Sequence, residues 1–395
     1  MSTPIGLPTR AATRRMPHRQ LLCLALATFA VGTDGFVIAG VLPQLATDLD
    51  VRVSTAGQLV TTFALAFAIS APTFGALTSR WDRRTALLVG LAVFVLGNAA
   101  TAAGPNYEIV LGARVVTAVG GGLIGAAAFS AAAAVAPEGR QGRSLAFVMG
   151  GLTLAIAIGL PAGTLIGSLD WRWTLWAVAG VGALAALGNW LWLPKITQPA
   201  DSFTARLAPL RDPRTVALLA VTVLALCGTH TLYTYISPAL ADATGGSLPA
   251  LTILLLIWGI GNMVGNTLAG RLADAYPPRR VVAGGLAAAT VALALTPLAD
   301  GTMATAAVWM LFWGICVSLP VVPQQSRLVT HAPTAAAVLL GLNSSAIYLG
   351  ISLGGAVGGL IDHDTTTSWL GPAAAAISMT GLLLTLALGR QRRAP

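Results

Sequence analysis

Twelve apolar stretches follow one another along the chain, at residues 21–42, 56–78, 85–103, 107–135, 144–168, 172–193, 215–240, 248–272, 281–299, 303–326, 335–361 and 369–389. A helix rises 1.5 Å per residue, so about 20 apolar residues cross the hydrocarbon of a bilayer. In lipid every backbone N–H and C=O must be paired within the structure, which a helix does segment by segment. Only 9% of the 395 residues are charged and the mean hydropathy is +0.77, too little charge to cover a water-soluble body of this size. The expected fold class is therefore an all-α polytopic membrane protein with 12 transmembrane helices. The first stretch is longer than a signal-peptide core and has eleven successors, so it is expected to be retained.

The net charge of +9 and pI near 10.5 would suit nucleic acid, but the positions of the charges argue otherwise. If the loops alternate sides, almost every cation falls on one of them. That side holds Arg10, Arg14, Arg15, Arg19, Arg80, Arg83, Arg84, Arg140 and Arg143, then Lys195, Arg206, Arg211 and Arg214. It also holds Arg271, Arg279, Arg280, Arg327, Arg390, Arg392 and Arg393. The other side has Arg52 and Arg172 among acids that include Asp48, Asp50, Glu108, Asp170 and Asp300. By the positive-inside rule both termini are expected in the cytoplasm. The lipid bilayer is the expected partner, nucleic acid is not, and the chain is expected to act as a monomer.

Other chemistries lack their residues. Cys23, Cys227 and Cys316 lie far apart inside apolar runs, with neither disulfide nor metal spacing. His18, His230, His331 and His363 are equally scattered. The lone lysine, Lys195, follows a proline and lies in no Gly-rich loop, so an ATP site of the P-loop kind is not expected. No cofactor is implied.

Shifting the sequence by 195 residues lays the second six stretches on the first six. Pro43 then meets Pro238, Gly75 meets Gly270, Arg84 meets Arg279, Gly159 meets Gly354 and Gly163 meets Gly358. The expected organisation is a tail at 1–20, a six-helix bundle at 21–193, a linker at 194–213, a second bundle at 214–390 and a tail at 391–395. Two parallel six-helix repeats are one recurring transporter build.

Four segments carry a resemblance: "VGTDGFVIAGVLPQLATDLDV" at helix 1, "GALTSRWDRR" with its second copy "GRLADAYPPRR", "LGARVVTAVGGG" in helix 4, and "GLPAGTLIG" in helix 5. The chain resembles the major facilitator superfamily over its whole length, and within it the twelve-helix drug:proton antiporters and sugar-efflux-like exporters. The loop motif departs from the family pattern, with Ser79 where it has Asp and Asp82 where it has Gly, while Asp274 keeps the acid in the second copy. Leu160 separates Gly159 from Pro161, which the exporter motif of helix 5 sets side by side.

Three ionisable groups lie deep in the spans: Asp34, Arg114 and His230. A charge at the bilayer centre costs about 2.5–3.5 kcal/mol on insertion scales, so each needs a reason. Asp34 and Arg114 sit at similar depths, about 10 Å below the outer ends of helices 1 and 4, and the resemblance implies that those helices are neighbours. As a proton-coupling pair, Arg114 would hold the carboxylate when close and release it to a proton when helices part. A static packing pair is the alternative. His230 is either a second proton site or a hydrogen-bonded structural group.

Asp34, Tyr233, Asn262, Asn343 and Tyr348 are the candidate substrate contacts, with interhelical bonding as the rival role for the amides. One of Tyr233 and Tyr235 is expected to face a cavity. Gly75, Arg80, Asp82, Arg83, Arg84, Gly159, Pro161, Gly163, Gly270, Asp274 and Arg279 are the candidates for gating, with close packing and membrane anchoring as rivals. The implied activity is export of a small organic molecule in exchange for protons across a bacterial inner membrane. A sugar or metabolite exporter and an uncoupled facilitator are the alternatives. An intramembrane enzyme would need a nucleophile and base, or paired acids, at shared depth, and the spans offer one deep acid.

Overall fold

A computed structural model describes residues 17–137, 140–197, 207–364 and 367–390. The ends of both tails and the middle of the linker, with Arg10, Arg14, Arg15, Arg206, Arg392 and Arg393, lie outside these, as do the side chains of His363 and Arg390.

The described residues form helices without strands. The first six are α1 (His18–Asp48), α2 (Val53–Leu77), α3 (Arg83–Ala103), α4 (Tyr107–Val135), α5 (Gln141–Gly167) and α6 (Trp171–Trp192). The second six are α7 (Pro213–Tyr233), α8 (Leu248–Ala275), α9 (Pro278–Ala294), α10 (Met303–His331), α11 (Ala336–Asp364) and α12 (Leu370–Arg390). Eleven are long and apolar enough to span a bilayer outright. The twelfth, α9, has 17 residues, about 25 Å of helix, and a further turn at Thr296–Leu298 extends it.

Prolines account for the departures from twelve plain rods. A proline has no N–H to give the carbonyl four residues back, and its ring crowds that carbonyl. The stretch 215–240 accordingly breaks after Tyr233 and resumes at Ile236–Ala239, where Pro238 would otherwise face the Thr234 carbonyl. In α10 the break falls at Leu319–Pro320. In α5 the turn Ala155–Gly159 widens into a π-helix just before Pro161, and the helix continues without a kink that ends it.

The two halves repeat one packing plan. In the first, α1 packs on α5 and α6, α4 on α2 and α3, and α3 on α6; adding six to each number gives the packing of the second. Small residues set the closeness. Gly159, Gly163 and Gly167 of α5 lie against Thr33, Val37 and Val41 of α1, and Gly350, Gly354 and Gly358 of α11 against the Val223, Cys227 and Thr231 carbonyls of α7. Both are one-face spacings of four residues.

The halves meet through α2 with α11 and α5 with α8, a pair of contacts that the same shift by six exchanges. These contacts lie toward the acidic loops. Gly57 and Thr61 of α2 face Tyr235 and Gly355, and Gly259 of α8 rests on the Ile156 carbonyl of the π turn. A side chain at Gly354 would stand 2.5 Å from the Cys227 carbonyl, whereas Gly270 has nothing within 4 Å. Gly354→Val is expected to lower stability by about 1–3 kcal/mol through overpacking. Gly270→Ala should leave it unchanged, both read as melting temperature in detergent.

Candidate functional site

Asp34 and Arg114 meet in the interior of the first half. The Arg114 Nη1 donates to Asp34 Oδ1 at 2.7 Å, and the side chains are 0% and 1% exposed. A longer contact of 3.5 Å joins Nη2 to the Asp34 backbone carbonyl, and the guanidinium lies 4.3 Å from the centre of the Phe63 ring of α2. The depths read from the sequence thus bring the two charges together. Asn106 caps α4 by accepting from the Ile109 N–H, and Thr117 of α4 lies against Gly97 of α3, so the helix that carries Arg114 is fixed at its end and along its length.

The pair is not fully bonded. Asp34 Oδ2 and Arg114 Nε are buried without a hydrogen-bond partner. A two-pronged pair would use both carboxylate oxygens; here one oxygen is left with its lone pairs exposed to nothing. A removed partner would leave an isolated buried charge, which is far costlier than the pair itself.

Two residues along α1, about 200° around the helix, Phe36 turns to the other half. Its carbonyl accepts from the Tyr233 hydroxyl at 3.3 Å, and its ring meets Tyr233 edge-on at 5.8 Å and lies 6.0 Å from His230. The His230 Nδ1 is 3.0 Å from the Leu226 carbonyl of its own helix. Tyr235 is buried as well, its hydroxyl donating to the Gly355 carbonyl at 3.1 Å, so both tyrosines sit on the seam between halves. Across the α2–α11 contact, Tyr348 of α11 stacks on Phe67 of α2 with centroids 3.7 Å apart.

The amides are bound into the second half. Asn343 accepts from Thr222 at 2.8 Å, tying α11 to α7, and Asn262 accepts from Ser318 at 2.5 Å, tying α8 to α10. Gln324 donates to the Leu218 carbonyl at 2.6 Å.

The loop motif is also tied within its half. Asp82 caps α3, accepting from the Thr85 N–H and hydroxyl, each at 3.0 Å, and from the Ile196 N–H of the linker. Burial works against the charge on Asp82, but the Ile196 and Thr85 N–H groups outweigh it and hold the carboxyl below its usual range. Arg83 reaches the Ser79 carbonyl. Arg84 donates to the Trp190 carbonyl of α6, and Arg279 to the Thr385 and Leu386 carbonyls of α12. Trp190 and Thr385 are again 195 residues apart. Gly75 is buried, while Arg80 and Asp274 are exposed.

The rings that frame the charged pair and the seam, Phe36, Phe63, Phe67, Trp258 and Trp313, were not singled out by the sequence. An apolar residue inside an apolar run carries no contrast. The tryptophans did leave one signal: they lie in the middle of their helices, away from the interfacial belts where tryptophan usually gathers.

The sequence matches the family described as Major Facilitator Superfamily over residues 24–355 and again over 218–395. It is 34% identical over 381 residues to the inner membrane transport protein YdhP of Escherichia coli K12, covering 95% of this chain and 96% of that one. It is 33% identical over 377 residues to a chloramphenicol resistance protein of Streptomyces lividans, covering 93% and 94%. The fold matches the E. coli xylose transporter XylE in a partially occluded inward-open conformation, with TM-score 0.72 at 15% identity over 94% and 97% of the two chains.

Truncating Arg114→Ala should destabilise the protein by about 3–5 kcal/mol, because it strands a buried carboxylate. The double variant Asp34→Leu with Arg114→Met is expected to recover much of that loss in the same thermal melt.

Proposed function

The chain belongs to the major facilitator superfamily, and from that footing we propose that it exports a small organic molecule in exchange for protons by alternating access. The observation that carries this reading is the half-bonded Asp34–Arg114 pair, one helical face away from the seam between halves. In this scheme Arg114, 2.7 Å away, is the counter-ion that balances the Asp34 carboxylate. When α1 and α4 shift, Asp34 loses its counter-ion and low dielectric favours its neutral form, so it takes a proton. Proton uptake and helix movement are then one equilibrium, and whatever favours one state favours the other.

In this scheme the six-helix halves, 21–193 and 214–390, rock about the α2–α11 and α5–α8 contacts. The conformation described here is closed on the side of the acidic loops, and by the positive-inside rule that is the outer face of a bacterial inner membrane, with both termini cytoplasmic. A proton from outside reaches Asp34 once that side opens, and the outward-moving molecule leaves by the same opening. Tyr233 and Tyr348 line its route at the seam, with His230 beside Tyr233. The amides Asn262 and Asn343 mainly hold helices of the second half together. The motif groups Asp82, Arg83, Arg84 and Arg279 keep each half rigid, so that motion concentrates between them. Export of a drug or natural product is favoured by the relative named for chloramphenicol resistance. The transporter works as a monomer and needs no cofactor.

Transport into everted vesicles against a compound panel, under an imposed pH gradient, tests the scheme. Asp34→Asn is expected to lose gradient-driven accumulation while retaining downhill exchange. Normal pumping by that variant, or parental flux indifferent to the gradient, would overturn proton coupling, the latter outcome pointing to a facilitator.

A further inference from the structure

Around the Tyr233 ring, and one turn further along α8, four buried polar atoms lack partners: His230 Nε2, Trp258 Nε1 and Trp313 Nε1 beside the ring, and Asn262 Nδ2 a turn beyond Trp258. The tryptophans are 2% and 0% exposed, their rings lie 5.6 Å apart, and they stand 4.8 and 6.5 Å from Tyr233. His230 lies 5.4 Å from the same ring, tilted against it. Asn262 follows Trp258 by one turn of α8, with its carbonyl oxygen already engaged by Ser318. The Leu226 carbonyl can only accept, so His230 Nδ1 carries the proton and Nε2 is a bare acceptor.

An unpaired buried polar group is disfavoured because it has given up its hydrogen bonds to water, and four so close together is an unusual concentration. Other buried indoles of this protein are satisfied: Trp309 donates to the Ala292 carbonyl at 2.8 Å and Trp171 to Asp48 at 3.1 Å. The cluster therefore offers three donors and one acceptor, walled by aromatic rings, at the edge of the seam where Tyr233 meets Phe36. The two indoles and the amide are uncharged groups, and the neutral imidazole of His230 adds an acceptor rather than an ion.

We propose that these residues form a substrate subsite for a neutral, flat aromatic molecule. Its hydrogen-bond acceptors, such as nitro or carbonyl oxygens, take the Trp258, Trp313 and Asn262 N–H groups, and a hydroxyl or N–H of the same molecule gives to His230. The inference rests on the export reading and names the chemical class it selects: acceptor-rich and uncharged, in preference to an organic cation.

The test uses the full-length protein in nanodiscs with 15N-labelled tryptophan, the two indole N–H resonances being assigned with Trp258→Phe and Trp313→Phe. The probes are 4-nitrobenzyl alcohol and its acceptor-poor analogue 4-isopropylbenzyl alcohol. The nitro probe is expected to shift both resonances saturably while the isopropyl probe does not. The two Phe substitutions together, which keep aromatic rings in place, are expected to weaken nitro-probe binding about tenfold. Unmoved resonances, equal responses to the two probes, or undiminished binding by the double variant would overturn the subsite. The outcome is separable from proton coupling: if Asp34→Asn pumps normally while the resonances still shift, coupling fails and the subsite stands. If the resonances stay put while Asp34→Asn loses accumulation, the reverse holds.

Discussion

A carboxylate and a guanidinium held 2.7 Å apart, both withdrawn from solvent, set the terms for the first half of this protein. Hydrocarbon tolerates neither charge alone, so α1 and α4 are bound to each other by the need of each for the other. The bond leaves one carboxylate oxygen unengaged, which makes it less than the best pairing those groups can form. A fully bonded pair would resist separation more strongly, which is why the proposed scheme places its proton exchange here.

In the proposed scheme the rest of the architecture divides rigidity from motion. Within each half, backbones approach through glycine at four-residue spacing, and arginines of the loop motif grip carbonyls at the far helix ends. Between halves the contacts are rings and glycines, with the Tyr233 hydroxyl on the Phe36 carbonyl. Surfaces of that kind slide or part with little loss of polar bonding. The π turn of α5 belongs to the same division: Pro161 removes a hydrogen bond where Gly259 of the other half comes to rest.

Much of this was legible in the sequence, and the reason differs by element. Helices spanning lipid announce themselves because hydrocarbon demands long apolar runs, and the deep charges stand out against that background. Proline positions pointed to irregularity in α5, although not to its form as a widened turn, since the missing hydrogen bond can be absorbed by a kink, a break or a π turn. The amides Asn262 and Asn343 read equally well as cavity lining or helix stitching, and their hydrogen bonds to Ser318 and Thr222, partners distant in sequence, could not be read from the chain. The aromatic frame of Phe36, Phe63, Phe67, Trp258 and Trp313 was hidden, because which face of an apolar helix meets which neighbour is a tertiary fact.

The matched grips of Arg84 on Trp190 and Arg279 on Thr385 mark what the two halves hold in common. The charged couple has no such twin, for the shifted positions hold Thr229 and Trp309. The two halves thus share a frame and differ in what it carries: a buried ion pair in the first, a cluster of tryptophan and tyrosine rings in the second.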